Sequence, residues 1–261
     1  MKKAGAQAHK QLAKLGFEAN RYLLARIPVI KENGVLTLVR ESKDGTGKLS
    51  AAILMTNETG NALIDALRDD VHLAPFLPIP GKDNGFDIEG LAVSGSRLFL
   101  GLRGPVLRGF AVILEVEMED DKADPALLHL TQVHSGGRCY RKHFLHLGGL
   151  GIRDLCVQGA DLLILAGPTM DLDGPVMVYR WKNGTRPGEE CLLRTDELKH
   201  EMEIPFGKGD DHAEGLCLYA PDGKDASSLL VVYDSAATSR HLGRSTMIAD
   251  VFSFSGKNSG T

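Results

Sequence analysis

IEGLAVSGSRLFLGL, residues 88–102, is the most informative stretch of this sequence. Ile88-Glu89-Gly90-Leu91-Ala92-Val93 reads as a strand, Ser94-Gly95-Ser96 as a tight turn, and Arg97-Leu98-Phe99-Leu100-Gly101-Leu102 as a second strand. The pattern returns at Ile152-Arg153-Asp154-Leu155-Cys156-Val157, where Gln-Gly-Ala leads into Asp161-Leu162-Leu163-Ile164-Leu165. It returns again at Ala213-Glu214-Gly215-Leu216-Cys217-Leu218, with Leu229-Leu230-Val231-Val232-Tyr233-Asp234 after a longer loop. The aligned positions Glu89, Arg153 and Glu214 lie 64 and 61 residues apart.

Each repeat offers a hairpin followed by a third and a fourth strand candidate. Four strands at a fixed period predict a mainly β, propeller-like fold of about three to four blades. An incomplete ring is one form of that expectation. The units fall near 35–85, 86–147, 148–208 and 209–261, after an N-terminal segment at 1–34 that is partly helical. A helix is expected over part of 5–25, with Leu12, Leu15, Phe17 and Leu23 as its apolar set. A second is expected at 61–69, with Asn61 as its cap and Leu63, Ile64 and Leu67 on one face. Runs such as Leu162–Ala166, apolar at every position, predict strands covered on both faces. The competing fold is a β-sandwich whose strands merely look alike. The shared Leu-small-aliphatic core weighs against it, and it makes Cys156 and Cys217, in the slot of Ala92, small core residues.

Composition excludes several classes. Apolar residues at 43% and charged residues at 25% of 261 fit a folded globular chain. Thirty glycines exceed average usage and point to many turns. A formal charge of −4 excludes a dedicated nucleic-acid binder, so nucleic acid is not an expected partner. No apolar run approaches the roughly 20 residues of a membrane helix. Lys2 and Lys3 are not followed by the apolar core of a signal peptide, and four scattered cysteines are no disulfide framework. A cytoplasmic location is the expectation.

The residues that suggest chemistry cluster at the starts of the expected inner strands, which converge in a propeller. Asp83, Asp87 and Glu89, with Arg103 and Arg108, make the first group. Arg153 and Asp154, followed by Asp171 and Asp173, make the second; Asp210, Asp211, His212, Glu214 and Asp234 make the third. Asp87, Glu89, Arg103, Arg153, Asp154, Asp211, Glu214 and Asp234 are the candidate ligand-binding residues. Glu89, Asp154 and Glu214 are the candidate metal ligands, and such oxygen donors suit Ca2+ or Mg2+ better than zinc. His212 is the candidate catalytic base. Set against this, Glu89 and Glu214 read equally well as inter-blade partners of Arg153. Asp171 and Asp173 favour a structured turn between Pro168 and Pro175. His143 and His146, three apart on an outer strand, point to opposite faces and share no metal. RCYRKH, 138–143, reads as a solvated loop. The glycine-rich runs at 101–105 and 166–168 are followed by no helix pattern, so no nucleotide cofactor is expected.

GFDIEGLAVSGSRLFLGLRGPVLRGFAVILE (85–115), GIRDLCVQGADLLILAGPTMDLDGPVMVYRW (151–181), GDDHAEGLCLY (209–219) and LLVVYDSA (229–236) resemble a bacterial family of unknown function, domain-of-unknown-function family 3616. EANRYLLARIPVI and HLAPFLPIPGKDNGFDIEGLA are similar to it too, so the resemblance covers nearly the whole chain. It implies a propeller-like β fold and no established reaction. Family members carry further β units before the stretch matching EANRYLLARIP, which makes this chain a shortened member by expectation. A ring lacking blades would expose sheet edges and self-associate.

Three functions follow from these readings. The first is a binding protein with an acidic and arginine-bearing site for a small molecule or divalent cation. The second is a metal-assisted hydrolase of an ester, lactone or phosphoester. The third is a non-catalytic interaction scaffold.

Overall fold

Gly95 and Gly159 adopt positive φ angles of 64° and 63°, and each opens a two-residue hairpin loop. The pairs Ser94 with Arg97 and Gln158 with Asp161 close those loops. A left-handed first position suits glycine and matches the twist of the flanking strands. The repeat seen in the sequence is therefore a repeated hairpin. The structure, a computed structural model, describes residues 23–44, 47–133, 136–170, 172–220 and 227–254. The chain is mainly β. Most of the expected N-terminal helix, residues 5–22, lies outside the described residues.

The chain divides into two compact units. One comprises the residues up to Ile79 together with Glu117–Cys139. In it, Ala52–Leu54 pairs antiparallel with Ala25–Arg26 and parallel with Leu127–Leu130. Two hairpins, Val29–Glu32 with Val35–Leu38 and Glu41–Asp44 with Gly47–Ser50, precede that strand. The expected short helix is present at Ala62–Leu67, and the Asn61 side chain accepts from the Ile64 N–H as its cap. Leu63, Ile64 and Leu67 are its buried face.

The other unit, Pro80–Val116 with Tyr140 onward, is built from antiparallel meanders. The first runs Asp87–Ser94, Arg97–Gly104, the start of Phe110–Asp120, then Tyr140–His146. Leu192–Leu193 adds a short parallel pairing on its outer edge. The second runs Gly151–Gln158, Asp161–Gly167, Val176–Trp181 and Lys199–Ile204. The third runs His212–Tyr219, Ser228–Asp234 and Asp250–Ser253.

Two apolar layers hold the meanders face to face. Phe99, Ala111, Ile113 and Leu145 from the first meet Ile152, Leu155, Leu162 and Ile164 from the second. Leu163, Leu165 and Val178 on the opposite face of the second meet Ala213, Leu216, Leu229 and Val231 from the third. The strand Asp161–Gly167 thus buries alternate residues in both layers, which is why its sequence is apolar throughout.

Side-chain-free backbone lets the inner strands approach. A Cβ on Gly151 would collide with the backbone carbonyl of Arg103, and one on Gly101 with the Ile152 side chain. The Gly151 contact is to backbone, which has little room to move aside. Gly151→Ala is expected to lower stability by about 1–3 kcal/mol through overpacking. Urea unfolding checks this, and an unchanged midpoint would contradict the close approach.

Candidate functional site

β-bulges aim the site residues. In each inner strand the pairing register slips at the same aligned place: Ile88 pairs with Leu102 and Gly90 with Gly101, Ile152 with Ala166 and Asp154 with Leu165, Ala213 with Tyr233 and Gly215 with Val232. The residue passed over is Glu89, Arg153 or Glu214. A bulge inserts one unpaired residue and re-aims its side chain. Three bulges therefore turn these three side chains toward one another.

Arg153 is the middle of that row. Its Nη1 donates to Glu89 Oε2 at 2.9 Å and to Glu214 Oε1 at 2.7 Å. Arg103 Nη1 donates to Glu89 Oε1 at 2.9 Å and lies 3.9 Å from Asp87 Oδ2. Both oxygens of Glu89 are thus taken, whereas Glu214 Oε2 has no hydrogen-bond partner among the described residues. Burial pushes the Glu214 carboxyl up, against the lowering charge of Arg153, and Glu89 and Asp234 add to the rise. Arg103 Nε is buried without a partner among the described residues.

The remaining candidates divide. Asp154 is spent on backbone: its carboxylate accepts from the N–H groups of Leu155 and Leu216 at 2.8 Å each, tying the second inner strand to the third. Burial raises its pKa, and those hydrogen bonds oppose the rise. Asp211, at φ 53°, accepts from Ala237 N and Arg240 Nε. Arg240 also pairs with Asp250 and stacks over the Tyr233 ring, so Asp211 belongs to a clasp on the third meander. Asp234 lies directly across from His212 in the ladder. Among the described residues no three His, Cys, Asp or Glu side chains gather as a metal-ligand set.

His212 lies beside the row. Its Nε2 is 2.9 Å from Asp173 Oδ1, and the same carboxylate accepts from Gly209 N. Hydrogen bonds from His212 and Gly209 hold the Asp173 carboxyl below the usual range. Arg103 Nη2 donates to the Met170 carbonyl, so Met170 and Asp173 are each held by a neighbouring strand's side chain. Asp171 itself lies outside the described residues. A small cleft of about 10 Å3, room for about one water molecule, is lined by Arg153, Leu172, Phe206 and His212.

Sequence reading missed a second charged group. The residues 140–142, expected in a solvated loop, form one strand with His143 and His146, which were expected on a strand, and in it Tyr140, Lys142 and His143 are buried. His143 Nε2 lies 3.1 Å from Glu115 Oε2. Arg141 Nη1 and Arg97 Nε reach Glu115 Oε1 at 3.1 and 3.4 Å. The backbone N–H of Cys191 donates to His143 Nδ1, leaving Nε2 to donate to Glu115. The signal was Glu115 itself, a carboxylate flanked by Leu114 and Val116 in the apolar run AVILEVEM. Of the two histidines, His143 faces this cluster and His146 faces Thr195. Cys156 packs against the apolar layer as expected, but Cys217 is exposed, because no meander lies on its side of the third sheet among the described residues.

The family profile described as "Protein of unknown function (DUF3616)" matches residues 1–250. The chain belongs to that family. No curated protein and no solved structure matches it. Among the described residues no helix is long and apolar enough to cross a membrane.

Burial alone would push the Glu115 carboxyl up, but His143, Arg141 and Arg97 outweigh it and hold it low. A depressed carboxyl contributes stability above its unfolded pKa and loses it as pH falls through the folded value. Glu115→Gln is expected to cost about 3–5 kcal/mol at neutral pH, the scale of breaking a buried ion pair. The gap from wild type closes in acid. Urea titrations at several pH values measure it, and a pH-independent gap would contradict the charge network.

Proposed function

We propose that this family member is a binding protein whose three meanders are blades of a propeller-like array. The bulged row at the inner-strand starts is its recognition site for a small cationic ligand, a divalent cation or an organic ammonium. The observation that carries this reading is Glu214: a half-buried carboxylate with one oxygen on Arg153 and the other unspent. Its raised pKa records an ionised form that the folded protein stabilises poorly. A bound cation would supply the missing stabilisation. Arg103 Nε offers a buried donor that a ligand oxygen or an ordered water would satisfy.

Calorimetric titration of EDTA-treated protein with Ca2+, Mg2+ and small amines tests the reading. Saturable binding is expected with at least one of them and is lost in Glu214→Gln. No heat from any, with a melting temperature indifferent to EDTA and Ca2+, would contradict it. Glutamine mimics the protonated carboxyl, so in the absence of ligand Glu214→Gln is expected to melt higher than wild type at pH 7. A carboxyl raised in the folded state loses its stability contribution as pH rises through the folded pKa. The advantage of the variant therefore disappears as pH falls below the ordinary glutamate range.

The His212–Asp173 pair supports a second reading, a hydrolase. A carboxylate-oriented histidine beside an arginine-lined cleft has the geometry of a general base. Turnover of aryl esters, lactones or aryl phosphates that is abolished in His212→Ala would favour it over simple binding.

A further inference from the structure

Beside the outer strand of the first meander lies a cleft of about 530 Å3, lined by Phe110, His146, Arg194, Thr195 and Asp196. Small-molecule sites span roughly 300–1,000 Å3. The strand pairings assemble it. Phe110 and His146 are cross-strand neighbours, and their rings meet edge to face with centroids 4.8 Å apart. The parallel pairing of Leu192 with Phe144 and of Leu193 with Leu145 then carries Arg194 alongside His146. There the Arg194 N–H donates to Glu197 Oε2 at 2.8 Å and closes the turn that holds Thr195 and Asp196.

Thr195 fixes the state of the histidine. Its Oγ1 lies 3.1 Å from the His146 carbonyl and 2.9 Å from Nδ1. The hydroxyl has one proton and gives it to the carbonyl, so in the neutral ring Nδ1 carries the proton and donates to Oγ1. Nε2 is then an acceptor, and no donor reaches it among the described residues. A Cβ on Gly109 would stand 3.0 Å from Nε2, so the bare glycine leaves that atom uncovered. Arg194 and Asp196 are both exposed, and neither side chain has an ion-pair partner among the described residues. The cleft thus offers an aromatic wall, one acceptor, one cation and one anion.

We infer that this cleft binds an aromatic amino acid whose ring carries a hydrogen-bond donor, tryptophan being the type. Charge complementarity selects a zwitterion: a purely anionic ligand would meet Asp196, and a purely cationic one would meet Arg194. The α-carboxylate pairs with the Arg194 guanidinium, whose planar fork matches it. The α-ammonium pairs with Asp196. The ring packs against Phe110, and its N–H donates to His146 Nε2. The cleft shares no residue with the row of Glu89, Arg153 and Glu214, so it is a second site, independent of that row.

Calorimetric titration of the full chain with L-tryptophan tests the inference, and saturable binding is expected. Arg194→Gln and Asp196→Asn alter exposed side chains, and each is expected to raise the dissociation constant about threefold to fivefold, the scale of an exposed ion pair. Tryptamine lacks the carboxylate and is indifferent to Arg194→Gln. Indole-3-propionate lacks the ammonium and is indifferent to Asp196→Asn. Phenylalanine, without a ring donor, binds wild type more weakly than tryptophan does, and the two bind alike in His146→Phe. Glu214→Gln leaves tryptophan binding unchanged. The absence of saturable heat up to the solubility of tryptophan would overturn the inference. So would binding that ignores both Arg194→Gln and Asp196→Asn, or binding lost in Glu214→Gln, which would put the ligand at the inner-strand row.

Discussion

The Arg153 guanidinium between Glu89 and Glu214 is the contact on which the arrangement of inner strands depends. Its side chain is almost wholly buried, and its carboxylate partners are themselves largely screened from water. A buried cation left without partners would cost several kcal/mol, so the three strands must stay adjacent for Arg153 to be tolerated. The bulges make this compatible with the apolar layers. Without the extra residue, Arg153 would share a face with Leu155 and Glu214 with Leu216, and neither charge could turn to the strand starts while those leucines faced the core.

Two further devices depend on that adjacency. Gly151 lets the second inner strand press against the Arg103 backbone, which brings Arg153 to the Glu89 that Arg103 also holds. Asp154 then reaches across to the Leu216 N–H and locks the third strand. Charge and backbone hydrogen bonding thus share the work at the strand starts, while leucine packing holds the middle of each sheet. The site inherits its character from this division. Glu89 and Asp154 are saturated by structure, and Glu214, at the end of the row, keeps an oxygen in reserve.

Much of the architecture was legible in the residues. The aligned Glu89, Arg153 and Glu214 announced both the repeat and the meeting of inner strands, because the hairpins are local and their turns require glycine at fixed places. Asn61 announced the short helix for the same local reason. The bulges were not legible, since a one-residue slip leaves the apolar alternation readable in either register. RCYRKH was misread because polar residues that pair with a distant buried carboxylate look, in sequence, like residues that face water. Cys217 was misread because slot identity fixes which way a side chain points and leaves open what lies beyond it. Asp154 and Asp211 read in the sequence as ligand-binding residues, because sequence does not reveal that their oxygens are spent on Leu155, Leu216, Ala237 and Arg240.

A double-mutant cycle between Arg153→Met and Glu89→Gln, read by urea unfolding at neutral pH, addresses the central claim most directly. If the bulged row is what joins the inner strands, the two changes are strongly non-additive, with a coupling energy of about 1–3 kcal/mol. Losses that simply add, within about 0.5 kcal/mol, would mean that the strands are held by their apolar layers alone and that the row is incidental.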